Sequence, residues 1–232
     1  MNKIYKQYRE GRLYEEPRML QAYSEGAGTG ETVKPLADLI DDYNINDQST
    51  VVEVGSFAGV TTELFALRCK QVYAIDPWDL QFEQDDPDQR GKGGSQNHET
   101  VEEKLKNGMT WKENVMSAER IFDGRMAAYD NVTKIKGFSG EEASKFEDGS
   151  IDLVYLDGRH NFIGVRSDIL NFYPKIKVGG VLAGHDYLCR AVRRCVIYLM
   201  DNYFERKRYS DGSWAFLKDK DVELEIPANL KL

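Results

Sequence analysis

The sequence predicts an α/β fold in which a doubly wound, mostly parallel sheet ends in an antiparallel C-terminal hairpin. Three observations lead to this prediction. Short apolar runs alternate with helix-length segments, a turn of the form Glu53-x-Gly55-x-x-x-Gly59 follows the first run, and the second run ends in Asp76. A strand, a glycine-containing turn, a helix and a second strand form the first half of a nucleotide-type fold, whose ligands bind at the carboxyl ends of the strands.

Periodicity places the remaining elements in order. Apolar residues that recur every three or four positions predict helices, and short apolar runs bounded by turn formers predict strands. Lys177-Val178-Gly179-Gly180 is expected to be a turn that leads into the fifth strand. The predicted strands are 50–54, 71–75, 132–136, 151–156 and 181–183, the hairpin comprises 206–209 and 213–217, and helices cover 33–43, 59–68, 98–107, 115–129, 162–173 and 190–204.

Two segments are expected to lie outside the alternating core, although we expect residues 1–232 to form a single domain. Residues 1–30 are rich in tyrosine and charge and are predicted to form an N-terminal cap segment. Residues 79–98 contain many turn formers and are predicted to be a mobile loop at the edge of the sheet where a ligand binds. Two interpretations of this loop stay open: it is a lid over that ligand, or it is an insertion without a role.

The composition excludes several classes of protein. The 232 residues suffice for one α/β domain, and the net charge of −8 without a basic run argues against binding to a nucleic-acid backbone. No apolar run spans a membrane, and the start lacks the apolar core of a secretory signal. Three scattered cysteines, Cys69, Cys189 and Cys195, fit a reducing compartment better than a disulfide framework. We therefore expect a cytoplasmic protein that acts on a small molecule, and the sequence leaves a homo-oligomer open.

The turn after the first strand differs from the dinucleotide fingerprint. That fingerprint uses closely spaced glycines to bring a pyrophosphate to a helix N-terminus, whereas here the glycines are four residues apart and Glu53 would repel a pyrophosphate. Asp76, which lies 21 residues after Gly55, can accept both hydroxyls of a ribose. Glycines in the turn tolerate positive φ and let the backbone pass close to a ligand. The candidate ligand contacts in this turn are Gly55, Ser56, Phe57 and Gly59.

A second group of polar residues follows two strands that should be neighbours. Asp157 and His160 come after the fourth strand, and His185 and Asp186 come after the fifth. The chain has three histidines, and two of them lie here; the third, His98, is assigned no role. Carboxylates and imidazoles at the ends of adjacent strands indicate a metal site or an acid–base site, with helix caps and loop hydrogen bonds as the structural alternative.

Both groups of residues are similar to those of known methyltransferases. The turn after the first strand resembles motif I of the class I S-adenosylmethionine-dependent methyltransferases, which have a Rossmann-like sheet. The run Asp157-Gly-x-His160, followed by Gly-Gly-Val-Leu-Ala-Gly-His-Asp-Tyr, resembles the cation-dependent small-molecule O-methyltransferases of the catechol, macrocin and aminocoumarin sugar types. This resemblance, over residues 33–217, implies S-adenosyl-L-methionine and a divalent cation, Mg²⁺ or Mn²⁺, as cofactors. It also implies methyl transfer to a hydroxyl of a sugar or phenol.

The resemblance implies roles for residues around the cofactor. Glu53 is expected to bind its ammonium group directly or through water, Asp76 its ribose, and Asp157 is expected to border it. Ser139, in the loop after the third strand, is expected either to contact the adenine or to cap the next helix. Trp78 is expected either to cover the adenine or to be a packed aromatic residue.

The resemblance also implies a metal site and a base. Asp157 matches the first metal-binding aspartate, and His185 and Asp186 match the pair after the fifth strand, which is Asp-Asn in the catechol branch. Because imidazole is a poor ligand for magnesium, either His185 favours manganese or another transition ion, or it is no ligand and Asp186 is the second one. His160 falls where the catechol branch has a lysine base, so His160 and Asp157 are the predicted catalytic residues that receive the proton.

Three other functions stay open at the level of the sequence. A metal-independent N- or O-methyltransferase would use the histidines and aspartates as acid–base pairs, and it would be insensitive to EDTA. An enzyme that uses NAD or a nucleotide sugar would share the sheet, but the glycine spacing argues against it. A non-catalytic binding or assembly module with the same fold would fail to bind S-adenosylmethionine.

Overall fold

The structure is a computed structural model that describes residues 33–78 and 111–225, with the side chains of residues 33 and 111–117 left out. The predicted cap segment at 1–30, the predicted loop at 79–98, the predicted helix at 98–107 and His98 lie outside the described residues. Within the described ranges, no helix is both long enough and apolar enough to cross a membrane.

Strands and helices alternate in the predicted order. Strands β1 to β7 are Thr50–Val54, Gln71–Asp76, Val132–Lys136, Ile151–Leu156, Ile176–Gly184, Arg206–Arg208 and Trp214–Leu217. Helices α1 to α6 are Val33–Asp42, Val60–Ala66, Trp111–Met126, Ser139–Glu142, Phe162–Phe172 and Arg190–Leu199, with single 3₁₀ turns at Ala143–Lys145 and Tyr173–Lys175.

The strands form one seven-stranded sheet with the order β3-β2-β1-β4-β5-β7-β6. Strands β1 to β5 are parallel, and β7 is antiparallel to both β5 and β6. The prediction of a mostly parallel sheet with an antiparallel C-terminal hairpin is therefore confirmed. The chain builds outward from β1 in one direction and from β4 in the other, so the crevice that binds ligands in such sheets lies where β1 and β4 end, at the pair Val54 and Leu156.

Helices cover both faces of the central strands, which is why β1 and β4 read as nearly continuous apolar runs. On one face Val52 and Val154 belong to a buried cluster that includes residues of α5 and α6. On the other face Val51 and Leu153 belong to a cluster that includes residues of α1 and α2. This packing fixes the ends of the two strands, and therefore the crevice, on a rigid support.

The fifth strand begins earlier than the sequence indicated, at Ile176 and not at Val181. The predicted turn at residues 177–180 exists, but as a bulge inside the strand, because Ile176 pairs with Ile151 whereas Val181 pairs with Leu153. Gly179 has a φ of +88°, and its N–H donates to the carbonyl of Lys218 at 2.7 Å. Helix α6 is shorter than the predicted helix at 190–204. It ends at Leu199, and residues 200–203 form turns.

Candidate active site

The turn between β1 and α2 requires glycine at two positions. Gly55 has a φ of +90° and Gly59 a φ of +79°. A Cβ on Gly55 would lie 2.2 Å from the carbonyl oxygen of Asp157, and one on Gly59 would lie 2.9 Å from the ring of Phe122. The predicted positive φ is confirmed. The close neighbours that exclude a side chain here are parts of the chain itself, namely the end of β4 and helix α3.

Asp76, at the end of β2, is oriented by two backbone donors. The N–H of Phe57 donates to one carboxylate oxygen at 2.9 Å, and the N–H of Trp78 donates to the other at 2.7 Å. Burial raises the pKa of Asp76, and these two hydrogen bonds oppose the increase. Each carboxylate oxygen retains a second lone pair. Asp76 therefore caps the turn and can still accept hydrogen bonds from the two hydroxyls of a ribose.

Trp78 is held in the apolar layer between the sheet and α3. Its indole N–H donates to the carbonyl of Phe57 at 2.7 Å, and its ring lies 4.9 Å from that of Phe122. The ammonium of Lys134 lies 4.7 Å from the centre of the indole ring, and Trp78 is only 6% exposed. Of the two predicted roles of Trp78, these contacts support that of a packed aromatic residue. Its contact with an adenine stays a prediction.

Glu53 is completely buried, and its carboxylate is bound by hydroxyl groups. Thr61 donates to one carboxylate oxygen and Thr62 to the other, both from α2. Burial raises the pKa of Glu53 to about 7, and the hydrogen bonds from the two threonines act against it. The described partners of Glu53 are protein side chains, so its bond to an ammonium group stays a prediction. Ser56, another predicted contact, is also buried.

Ser139 is the first residue of α4 but does not cap it. Phe138 occupies the cap position without a side-chain bond, so the predicted capping role of Ser139 is wrong. Its hydroxyl instead donates to a carboxylate oxygen of Asp168 on α5 at 2.5 Å. Burial raises the pKa of Asp168 to about 6, opposed by this hydrogen bond and by the charge of Arg159. Contact between Ser139 and an adenine stays a prediction.

Three side chains, which we call the reaction cluster, meet where β4 and β5 end: Asp157, His160 and Asp186. The strand ends are adjacent because Leu156 pairs with Gly184. Nε2 of His160 lies 2.8 Å from Oδ2 of Asp186 and 3.3 Å from Oδ1 of Asp157. One ligand atom from each of the three residues lies within 4.8 Å of the other two. The expectation that these strand ends bring acids and a histidine together agrees with this geometry.

The backbone of Asp186 adopts a φ of +55°. Non-glycine residues in this left-handed region cost about 1–2 kcal/mol, and aspartate is among those that tolerate it best. The conformation turns the chain directly after β5, so that the carboxylate reaches His160 on the neighbouring loop. Backbone strain of this kind is concentrated at functional sites.

His185 lies beside the reaction cluster. Its Nδ1 is 3.3 Å from Oδ2 of Asp186 and 3.9 Å from Oδ1 of Asp157. Its Nε2 is buried and has no hydrogen-bond partner among the described residues. Burial lowers the pKa of His185, but the hydrogen bond to Asp186 and the charge of Asp157 raise it overall to about 9. The predicted metal ligands were Asp157, His185 and Asp186, whereas the three residues with ligand atoms within 4.8 Å of one another include His160 in place of His185.

The donor set of the reaction cluster fits a divalent cation. Two carboxylates and an imidazole suit manganese or another transition ion better than magnesium, which prefers oxygen ligands. Burial lowers the pKa of His160, but hydrogen bonds to Asp157 and Asp186 raise it well above its ordinary value. A protonated imidazole therefore balances the two acids in the described structure. A cation bound by the two carboxylates would compete with this protonated imidazole, so its binding would release the proton and leave His160 neutral.

The comparisons with known proteins agree with the fold. A family model described as a methyltransferase domain matches residues 52–187, more than half of the chain, from β1 to just beyond the reaction cluster. No curated protein sequence matches the chain.

Solved methyltransferase structures share the sheet at low sequence identity. The O-methyltransferase NovP is 16% identical with a TM-score of 0.52, over 82% of this chain and 78% of that chain. A calicheamicin methyltransferase is 10% identical with a TM-score of 0.53, over 93% and 91%. An S-adenosylmethionine-dependent O-methyltransferase from Thermotoga maritima is 11% identical with a TM-score of 0.51, over 82% and 67%. At these identities the structures show the fold alone.

Proposed function

The chain belongs to the methyltransferase domain family and is an S-adenosylmethionine-dependent methyltransferase, and from this premise we propose that it methylates a hydroxyl of a small molecule with the help of a divalent cation. A sugar or a phenol is the proposed acceptor. The observation that carries the proposal is the convergence of Asp157, His160 and Asp186 within 4.8 Å, at the edge of the sheet where β1 and β4 end.

The proposed seat of the cofactor is the turn after β1 together with the end of β2. Asp76 holds the ribose through the two oxygens that Phe57 and Trp78 orient. The sulfonium of S-adenosylmethionine supplies a methyl group that is already activated, so the task of the protein is to position the acceptor and to remove its proton. The carbonyl of Asp157 packs on Gly55 of this turn, which supports placing the reaction cluster next to the cofactor.

The proposed task of the reaction cluster is to prepare the hydroxyl. A divalent cation, when bound, lowers the pKa of a hydroxyl that it coordinates. Asp157 and Asp186 are the proposed oxygen ligands. Nε2 of His160 faces the carboxylate oxygens of both acids, so it lies within hydrogen-bond reach of the place where the hydroxyl would bind. We therefore assign His160 as the group that accepts the proton.

The test is a transfer assay with labelled S-adenosylmethionine against a panel of sugars and phenols. Protein stripped with EDTA is compared with the same protein after Mn²⁺ or Mg²⁺ is restored. We expect labelling of at least one acceptor, loss of labelling in EDTA, and recovery with the cation. The Asp157→Asn variant should lose transfer but bind S-adenosylmethionine as the wild type does. Labelling that survives both EDTA and this substitution would overturn the role of the cation.

A metal-independent methyltransferase is the second candidate, and one contact favours it. His160 and Asp186, 2.8 Å apart, form a histidine–carboxylate pair, which can serve as a general base once the imidazole has lost its proton. In that case the acceptor is a nitrogen or oxygen whose proton passes to His160 without a cation. Transfer that is insensitive to EDTA but lost in His160→Gln would identify this mechanism.

A further inference from the structure

The exposed side of α6 carries three arginines. Arg190, Arg193 and Arg194 follow the spacing that places residues on one face of a helix, and all three are exposed. The opposite side of the helix packs into the core through Val192 and Val196. We call Arg190, Arg193 and Arg194 the arginine face. Composition alone did not reveal it, because the chain as a whole is acidic.

No acid neutralises the arginine face within the described part of the chain. Basic side chains elsewhere, such as Lys134 and Lys175, form ion pairs with carboxylates, whereas no described carboxylate lies within ion-pair distance of any arginine on this face. The first turn of α6 also contains no acidic residue. The positive end of a helix dipole repels cations, which makes Arg190 and Arg193 unfavourable near the start of α6 unless an anion binds there. Arg194 lies further along, with its guanidinium 5.1 Å from the centre of the Phe162 ring.

The arginine face begins next to the reaction cluster. Arg190 is four residues after Asp186, a distance of at most about 14 Å along an extended chain. The start of α6 is fastened to the cluster by Cys189, whose N–H donates to the carbonyl of Asp186 at 2.8 Å and whose thiol lies 3.4 Å from the carbonyl oxygen of His160. The first residue of the arginine face therefore lies within reach of a small molecule bound at the reaction cluster.

A fourth arginine and an exposed leucine border the same region. The guanidinium of Arg208 lies 4.4 Å from the centre of the Tyr187 ring, and Tyr187 directly follows Asp186. No carboxylate in the described ranges pairs with Arg208. Leu188 is 71% exposed, between the reaction cluster and Arg190. Apolar and cationic groups thus lie side by side at the edge of the proposed acceptor site.

We propose that the acceptor carries a phosphate group, which the arginine face and Arg208 bind while the reactive hydroxyl lies at the reaction cluster. The inference rests on the proposed function and specifies its substrate class as phosphorylated hydroxyl compounds, for example sugar phosphates. Guanidinium groups bind phosphate through paired hydrogen bonds. A phosphate, with its higher charge and three free oxygens, can pair with several guanidinium groups at once, which a single carboxylate cannot do as well. The acidic remainder of the chain repels anions, which directs them to this surface.

The test uses inorganic pyrophosphate as the probe, titrated into the full chain at low salt and followed by calorimetry and by the imidazole resonances in NMR spectra. The chain has three histidines, so the spectrum contains few imidazole resonances. The resonance that disappears in the His160→Gln variant is that of His160. The variants are the triple replacement Arg190→Ala, Arg193→Ala, Arg194→Ala and, on a separate element, Arg208→Ala. Arg120→Ala, which replaces an exposed arginine of α3, is the matched control.

We expect saturable binding to the wild type with a shift of a histidine resonance of the site. Affinity should fall about tenfold or more in the triple variant and less in Arg208→Ala, while Arg120→Ala binds as the wild type does. Three results would overturn the inference: no saturable binding, equal affinity in the triple variant, or binding that leaves the histidine resonances unchanged. Affinity for S-adenosylmethionine is measured on the same samples. Its absence would contradict the proposed function, whereas its presence without pyrophosphate binding contradicts only the inference about phosphate.

Discussion

The backbone N–H of Phe57 donates to the carboxylate of Asp76 across 2.9 Å, and this bond joins the turn after β1 to the end of β2. The other carboxylate oxygen accepts the N–H of Trp78. One side chain thus shapes the turn and presents two oriented oxygens at the proposed cofactor site. Its structural and binding roles are therefore linked, and a substitution should affect both.

Replacement of Asp76 by asparagine should weaken both the turn and the binding of the cofactor. The amide can accept only one of the two backbone N–H bonds and directs its own NH₂ group at the other donor. We expect the affinity for S-adenosylmethionine to fall about tenfold or more and the free energy of unfolding to fall by about 1–2 kcal/mol. Calorimetric titration and urea unfolding measure the two effects. Asp130→Asn, at an exposed acid, should change neither, and unaltered cofactor affinity in Asp76→Asn would refute the assignment.

His160→Gln should impair methyl transfer without impairing cofactor binding. Glutamine can hydrogen-bond to Asp157 and Asp186 but cannot accept a proton near neutral pH. Loss of a general base typically lowers the rate about 10²- to 10⁴-fold. The measurement is the single-turnover rate with an acceptor found in the transfer panel, alongside the affinity for S-adenosylmethionine. A rate close to that of the wild type would show that another group takes the proton.

Asp168→Asn should change how stability depends on pH. The pKa of Asp168 is about 6 in the folded chain, against about 3.9 in an unfolded one. The folded state therefore binds more protons between pH 4 and 6, so this residue lowers stability as pH rises through that window, and the loss is complete above pH 6. Asparagine keeps the acceptor for Ser139 and removes the titration.

Relative to the wild type, Asp168→Asn should therefore gain about 2 kcal/mol of stability between pH 4 and pH 8. Urea unfolding at both pH values measures this change. Asp130→Asn, at an exposed acid, serves as the control and should follow the wild type closely. A variant at Asp168 whose stability changes with pH in parallel with the wild type would show that this carboxyl does not titrate as described.

Gly55→Ala should destabilise the chain far more than Gly149→Ala. Both glycines have positive φ, +90° and +68°, but a Cβ on Gly55 would lie 2.2 Å from the carbonyl oxygen of Asp157, whereas one on Gly149 would meet nothing within 4 Å. Gly149→Ala should cost about 1–2 kcal/mol, the penalty of the left-handed conformation alone. Gly55→Ala should cost more than about 4 kcal/mol because the turn must also move away from β4. Equal losses in urea unfolding would show that this contact does not constrain the turn.

Much of the fold could be predicted from local patterns. Strands such as Ile151–Leu156 are buried on both faces and read as continuous apolar runs between turn formers. The start of β5 could not be predicted in this way. Residues 177–180 look like a turn, and only their pairing with the chain at Lys218 keeps them inside the sheet as a bulge.

In the candidate site, too, some residues could be predicted from the sequence and others depend on the tertiary structure. Asp157 and Asp186 could be predicted because the ends of adjacent parallel strands must lie side by side. The choice between His160 and His185 could not, because it depends on the direction of each side chain beyond the strand, and the φ of +55° at Asp186 sets part of that direction. Asp168 was missed since its partner Ser139 is 29 residues away in sequence, and only the packing of α4 against α5 reveals the bond.

The most direct test of the central claim is the binding of Mn²⁺ to the chain, measured by electron paramagnetic resonance in the presence of S-adenosylhomocysteine. The account predicts one tightly bound Mn²⁺ per chain, bound more tightly at pH 8 than at pH 6 because the cation competes with protonated His160 for the carboxylates of Asp157 and Asp186. It also predicts loss of this binding in Asp157→Asn with the affinity for S-adenosylhomocysteine intact. A wild type that binds no Mn²⁺, or an Asp157→Asn variant that binds it equally well, would contradict the assignment of the reaction cluster as a cation-assisted methyl-transfer site.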